Sequence, residues 1–321
     1  MNILKKESTV IAYPTIPIIF LGGITEDRKP LHDVIGLAVT DQKEIVRTET
    51  NVKVLSSQYK INFLVDGKSI TGKRGNNALT SVKEFLKKSD VNVGLDIESR
   101  NYEIKSGSSD SGMAALFTAL NDALETNYPI EEIAKYAMKG SESAIRSVYG
   151  GMSKIIVDQD SEVFGIKLAS EEELNNHIGI FAIPFNYSFR VSADEIHSAV
   201  VKNPHFKYRL ERIPEWTKNI EQALERRDFI TVLKNAEENI RNAHDLLEDV
   251  GVKVRRKEMM NCCLDIEDMR REGIEAYYLI GGGNMISVVF PNEQEDLVLS
   301  GLKKKGYNPL RYKVASGAKV I

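Results

Sequence analysis

The sequence predicts an α+β protein built from two lobes, and three observations carry that prediction. The chain has 321 residues, more than one core ordinarily serves, so two packed lobes are expected. Its first hundred residues read mainly as β-rich runs, whereas residues 193–272 read mostly as helix. No internal repeat or low-complexity tract interrupts that order. The expected lobes are residues 1–170 and 171–321, divided at the acidic cluster Glu171-Glu172-Glu173.

Candidate strands in the first lobe are 8–12, 16–21, 34–40, 44–55 and 59–65, and Asp66-Gly67 after the last is a hairpin signal. Leu79, Val82, Phe85 and Leu86 recur at helical spacing, which predicts a helix over 77–88, and 91–97 returns to alternation. A loop of small residues, 106–112, then opens an apolar helix over 113–124. Pro129 fits the first turn of the next helix, 130–148, which ends at Gly150-Gly151. Strands 155–157 and 163–168 close the lobe. The second lobe begins with strand 178–185 and helix 193–201, and continues as helix to about residue 272. It ends with strand 275–280, three glycines, strand 285–290, helix 293–305 and strand 310–314.

Composition narrows the function classes. The chain is 42% hydrophobic and 28% charged, and its 43 basic and 46 acidic residues interleave to a net charge of −3. That balance gives no general attraction to nucleic acid or an anionic membrane. The short basic run 253–257 reads as a solvated helix start. Adjacent Cys262 and Cys263 suit neither metal nor redox spacing and read as small apolar residues on a helix in a reducing compartment. The apolar stretch 10–23 is too short to span a bilayer and contains Pro14 and Pro17, so it reads as strand and turn. No targeting segment is visible, and a cytoplasmic location is expected.

Three local features bear on chemistry. Ser106-Gly107-Ser108-Ser109-Asp110-Ser111-Gly112 lies between a strand and a helix. Small residues let backbone N–H groups approach an anion, and the helix N-terminus adds free donors and partial positive charge. The same stretch also fits a plain capped turn, with Asp110 or Ser111 as the cap. It is neither a Walker A loop nor a dinucleotide fingerprint. Gly281-Gly282-Gly283-Asn284 exceeds what a hairpin needs and points to close backbone approach. In Ser141-Glu142-Ser143-Ala144-Ile145-Arg146, the i,i+4 spacing puts Glu142 and Arg146 on one helix face. That pair reads as a surface ion pair or as a carboxylate and guanidinium serving a hydroxy acid.

In this order the features resemble the GHMP kinases, the superfamily of galactokinase, homoserine kinase and mevalonate kinase. Residues 106–112 look like its Gly-Ser-Ser phosphate motif and 280–284 like its C-terminal glycine motif. Within the superfamily, residues 141–151 and 15–23 are similar to the mevalonate diphosphate decarboxylase branch. That branch carries an Asp-Ala-Gly-Pro-Asn motif where this chain has Ile280-Gly281-Gly282-Gly283-Asn284, and a lysine where it has Ile19 or Phe20. Tyr13-Pro14-Thr15-Ile16, Leu21-Gly22-Gly23, Gly107-Ser108-Ser109-Asp110 and Ser141-Glu142-Ser143 look like archaeal mevalonate 3-kinases. Lys105-Ser106 departs from the superfamily's usual Gly-Leu before the phosphate loop.

The resemblance implies a two-lobed GHMP kinase fold, with a ribosomal protein S5 domain 2-like N-terminal lobe and a ferredoxin-like C-terminal lobe. It implies ATP and Mg²⁺ as cofactors, mevalonate as substrate, phosphorylation at the 3-hydroxyl, and a homodimer. Ser106, Gly107, Ser108, Ser109, Asp110 and Gly112 would hold the nucleotide phosphates, with Ser109 also catalytic and a Mg²⁺ ligand. Phe20, Leu21, Glu142, Arg146 and Arg190 would surround the substrate, with Glu142 at its 5-hydroxyl end and Arg190 at its carboxylate, both of them catalytic by positioning it. The alternatives are a decarboxylase of a phosphorylated mevalonate and a non-catalytic binding protein of the same fold. Among the histidines, His197 on the helix after Arg190 comes nearest to the site, though an isolated helical histidine is more often structural.

Overall fold

The fold was obtained as a computed structural model, which describes residues 6–55, 60–158, 160 and 162–321. In chain order the first half contains β1 (Glu7–Ala12), β2 (Thr15–Ile19), β3 (Val34–Asp41), β4 (Arg47–Leu55), β5 (Ile61–Val65), β6 (Lys68–Ser69), α1 (Gly72–Lys88), β7 (Gly94–Tyr102), α2 (Ser108–Ala123), α3 (Ile130–Gly140), α4 (Ala144–Tyr149), β8 (Met152–Val157) and β9 (Val163–Ala169). The second half contains α5 (Glu171–Asn175), β10 (Ile178–Pro184), α6 (Ala193–Val200), α7 (Phe206–Glu225), α8 (Phe229–Asp249), α9 (Lys257–Arg271), β11 (Tyr277–Leu279), β12 (Met285–Pro291), α10 (Glu295–Lys304), β13 (Leu310–Val314) and β14 (Lys319–Val320). Tyr59, where the fifth expected strand began, lies outside the described residues.

Two sheets organise the chain. A six-stranded sheet runs β14-β1-β4-β7-β5-β6, antiparallel except at β5–β7. An eight-stranded antiparallel sheet runs β11-β12-β10-β13-β3-β8-β9, with β2 attached to β3. Because β13 joins β10 to β3, one sheet passes through both lobes. The last strand also returns to the first, with Val10 opposite Val320. The Asp66-Gly67 turn expected from sequence connects β5 to β6, and both residues take positive φ.

The core around the first sheet centres on α2, whose Ala114, Leu116, Phe117, Ala119 and Leu120 are all fully buried. A helix apolar on every side is a buried helix. This one lies across β1 and β4, with α3 and α4 packed behind it. The other core joins Trp216, Ile220, Leu233 and Ile240 of α7 and α8 to Phe181, Val288 and Phe290 of the second sheet. Among the described residues, no helix is long and apolar enough to cross a membrane.

The structure corrects two expectations about the helices. The single helix over 130–148 is two helices, because Ser141 is extended at φ −151° and ψ 117°. A side chain at Gly140 would strike Met113, and the hydroxyls of Ser141 and Ser143 both donate to Asp110 Oδ1, at 2.8 and 2.7 Å. Serine side chains that find an acceptor outside the helix compete with the helical path. Glu142 therefore lies in a turn, and the i,i+4 relation with Arg146 does not apply. The basic run 253–257 is only partly a solvated helix start: Arg255 is buried and pairs with Asp245 and Glu248.

Candidate active site

The site grows from the N-terminus of α2. Gly107 precedes the helix at φ +78°, a conformation open to glycine, and a Cβ there would lie 2.9 Å from the backbone nitrogen of Thr15. Neither Asp110 nor Ser111 caps the helix; no side chain does. The first intrahelical bond runs from Ser111 N to Gly107 O, so the N–H groups of Ser108, Ser109 and Asp110 precede the helical ladder. An uncapped N-terminus of this kind leaves N–H donors and partial positive charge that suit an anion. Two of the three glycines, Gly281 and Gly283, lie against the loop before it: a Cβ on Gly283 would be 2.5 Å from Ser106 Cβ and 2.8 Å from the Lys105 carbonyl oxygen.

Asp110 has a different role from its neighbours. Its Oδ2 accepts from Thr15 Oγ1 at 2.6 Å and Arg146 Nη2 at 3.0 Å, and its Oδ1 accepts from Ser141 and Ser143. Burial alone would raise its carboxyl, but the Arg146 guanidinium and the three hydroxyls together hold it below the usual carboxylate range. Both oxygens are engaged within the protein, so Asp110 locks the helix start in place. Arg146, expected to pair with Glu142, is instead the buried partner of Asp110, and it lines the same cleft as Glu142. Ser111 is likewise committed, 2.7 Å from Thr48 Oγ1.

Glu142 lines the same cleft, 2% exposed, and is paired with Arg28; its Oε2 is 3.9 Å from Arg74. Asp194 of α6 meets both arginines, at 3.0 Å from Arg28 and 3.3 Å from Arg74. Two cations and two anions thus join the lobes at one end of the cleft. Arg190, on the loop before α6, lines the cleft with an exposed side chain and no ion-pair partner among the described residues. Phe20 and Leu21 form another wall. Phe20 is fixed through its backbone: its N–H donates to Asn239 Oδ1 at 2.9 Å, and its carbonyl accepts from Arg209 Nη2 at 2.9 Å. Burial pushes the Arg209 guanidinium down to about 9.

A second cavity meets the first at Arg74, Ser109 and Arg190. Its walls include Phe63, Val65, Ile70, Ala78 and Met113, an apolar surface beside the anion site. Ile280 is fully buried.

With this geometry in view, residues 12–163 match the diphosphomevalonate decarboxylase-like N-terminal domain family, and residues 191–296 the mevalonate-3-kinase C-terminal domain family. The mevalonate-3-kinase of Picrophilus torridus is 30% identical over 97% of this chain and 96% of its own. The chain belongs to the mevalonate 3-kinase family. A crystal structure of mevalonate-3-kinase from Thermoplasma acidophilum, with mevalonate 3-phosphate and ADP bound, superposes with a TM-score of 0.86 at 24% identity, covering 98% of both chains. Mevalonate diphosphate decarboxylase from Staphylococcus aureus superposes at 0.88 with 21% identity over the same shares. These two likenesses carry the two-lobed α+β fold, and the P. torridus relative makes the chain a kinase by family.

In this mevalonate 3-kinase family member, several residues in the cleft or in contact with its lining are ones that local pattern did not signal. Arg28, Arg74 and Asp194 sit in unrelated segments and meet only in space. Arg209 and Asn239 act through the Phe20 backbone and carry no motif. His197, an isolated histidine in the sequence, lines the cleft.

Proposed function

We propose that the chain transfers the γ-phosphoryl group of ATP to the 3-hydroxyl of mevalonate and releases mevalonate 3-phosphate and ADP. The observation that carries this reading is the uncapped α2 N-terminus sharing one cleft with Arg190, which has no ion-pair partner among the described residues. The N–H groups of Ser108, Ser109 and Asp110 receive phosphate oxygens. The apolar cavity of Phe63, Val65 and Met113 takes the purine. Arg190 pairs with the substrate carboxylate, and Glu142 stands at the primary-hydroxyl end.

Among the described residues, no group of three or more His, Cys, Asp or Glu could hold a metal ion. Mg²⁺ binds chiefly through phosphates and water, so the Ser109 hydroxyl suffices as a protein ligand and Asp110 is not free for the task. When bound, the ion neutralises phosphate charge. The chain's own residues place the 3-hydroxyl oxygen in line with the γ-phosphorus. That oxygen bonds to phosphorus as the bond to the ADP oxygen breaks, and the hydroxyl proton leaves to solvent. Such transfer proceeds through a loose transition state, so positioning and charge carry it without a strong base. Buried Ile280 offers no acid to direct decarboxylation. The reading extends to a cytoplasmic homodimer, as the resemblance implies, which light scattering tests for oligomeric state.

The deciding experiment incubates pure protein with ATP, Mg²⁺ and mevalonate and identifies products by phosphorus NMR and mass spectrometry. Mevalonate 3-phosphate without CO₂ is expected. Efficient decarboxylation of mevalonate 5-diphosphate would overturn the assignment.

A further inference from the structure

One polar group in the cleft has no part in the chemistry above. His197 projects from α6, which Ser192 caps by accepting from Glu195 N at 3.1 Å. Its ring is 6% exposed and lines the cleft with Ala193 and Ile196. Nδ1 is sealed from solvent with no partner. Nε2 also makes no hydrogen bond among the described residues but is not sealed off, so it is the nitrogen left open for a ligand. A buried polar group without a partner is rare enough in folded proteins to need an explanation.

The ring stands among charged neighbours that also surround Glu142. Arg74, Asp194 and Arg28 all act on it electrostatically, and Glu142 contacts both of those arginines. Burial first, and then Arg74, push its imidazolium down to about 4, so the ring is neutral. Of the two neutral tautomers, a proton on Nδ1 would bury an orphan N–H, whereas a proton on Nε2 gives the cleft a donor. Glu142 gives it an acceptor.

We infer that His197 recognises the primary hydroxyl of the substrate, its Nε2–H donating to the hydroxyl oxygen while the Glu142 carboxylate accepts the hydroxyl's own proton. The inference rests on mevalonate as the substrate. An alcohol both accepts and donates, so it satisfies the two residues together. A methyl group satisfies neither, and leaving buried polar groups unpaired is how sites reject analogues strongly. A phosphate could accept from His197 but would bring its charge against Glu142. The pair therefore selects for an alcohol in addition to excluding a phosphate.

The test compares wild type, His197→Leu and His197→Gln on mevalonate and on 3-hydroxy-3-methylpentanoate, which lacks the primary hydroxyl. His197→Leu is expected to lower kcat/KM for mevalonate about tenfold, mainly through KM, as expected for one lost hydrogen bond. It should leave the deoxy substrate within about twofold. His197→Gln, which keeps an N–H donor, should recover most of the mevalonate loss. Equal losses on both substrates, or an unchanged KM for mevalonate, would overturn the inference. Nitrogen NMR of wild type, independent of any variant's folding, supplies a further readout: the His197 Nε2 resonance should shift with mevalonate and not with the deoxy analogue. If it shifts equally with both or with neither, the inference fails. A wild type that phosphorylates mevalonate while these contrasts are absent refutes only the role of His197; a wild type inactive on mevalonate refutes the substrate itself.

Discussion

Asp110 Oδ2 and Arg146 Nη2 meet at 3.0 Å inside the first lobe, with side chains only 5% and 7% exposed. The pair ties the first turn of α2 to α4, and Gly36 leaves room for it, since a Cβ there would lie 2.4 Å from Arg146 Cδ. Removing one member of a buried pair leaves the other charge uncompensated, which costs about 3–5 kcal/mol. Asp110→Asn keeps the shape and should lower unfolding stability by about 3 kcal/mol in urea titration. A loss below about 1 kcal/mol would place the pair with solvent-exposed ion pairs and remove its structural role.

Arg190 lines the cleft with a guanidinium that has no ion-pair partner among the described residues. If it holds the substrate carboxylate, Arg190→Ala forfeits a charge-assisted contact of about 1.5–3 kcal/mol, or about ten- to a hundred-fold in mevalonate KM. The KM for ATP should move far less. A mevalonate KM within about twofold of wild type would assign the carboxylate elsewhere.

Gly283 and Gly281 provide a graded pair. A Cβ on Gly283 meets the Lys105 carbonyl at 2.8 Å and the Ser106 side chain closer still, whereas on Gly281 the nearest atom is Ser106 Oγ at 3.4 Å. Gly283→Ala must push the phosphate loop, and a displacement near an ångström costs about a hundred-fold in rate. Its kcat/KM for ATP should fall well below that of Gly281→Ala. Two variants equally active in steady-state assays would show that the loop does not need its close seat.

Glu44 governs an acid-side dependence of stability. Its carboxylate accepts from Tyr13 Oη at 2.6 Å and also meets Lys313 and Lys319, holding its pKa down at about 2 against an ordinary 4.5. A folded pKa below the unfolded one means that the unfolded chain takes up the proton first as pH falls. The contribution is full above about pH 4.5 and declines toward pH 2. Glu44→Gln should therefore flatten that part of the melting temperature against pH. An unchanged slope in thermal scans would show that the contacts with the C-terminal strands contribute nothing.

The sequence alone determined the features that local chemistry writes locally. The apolar residues of 113–124 specified a helix, the small residues before it allowed either an open N-terminus or a capped turn, and Gly281-Gly282-Gly283 pointed to a close backbone approach. Their order also carried the family resemblance. Tertiary structure decided who partners whom. Nothing near Arg146 reveals that its carboxylate lies 36 positions back at Asp110, or near Phe20 that its backbone is held from Asn239, 219 positions away. The break at Ser141 was hidden for the same reason: the residues there tolerate a helix, and the acceptor that draws the serines out belongs to another element. Periodicity and turn chemistry act over a few residues and can be read along the chain. Charge pairing and the satisfaction of buried polar groups depend on distance in space, which the chain sets only once α2, α4, α6 and α8 have packed.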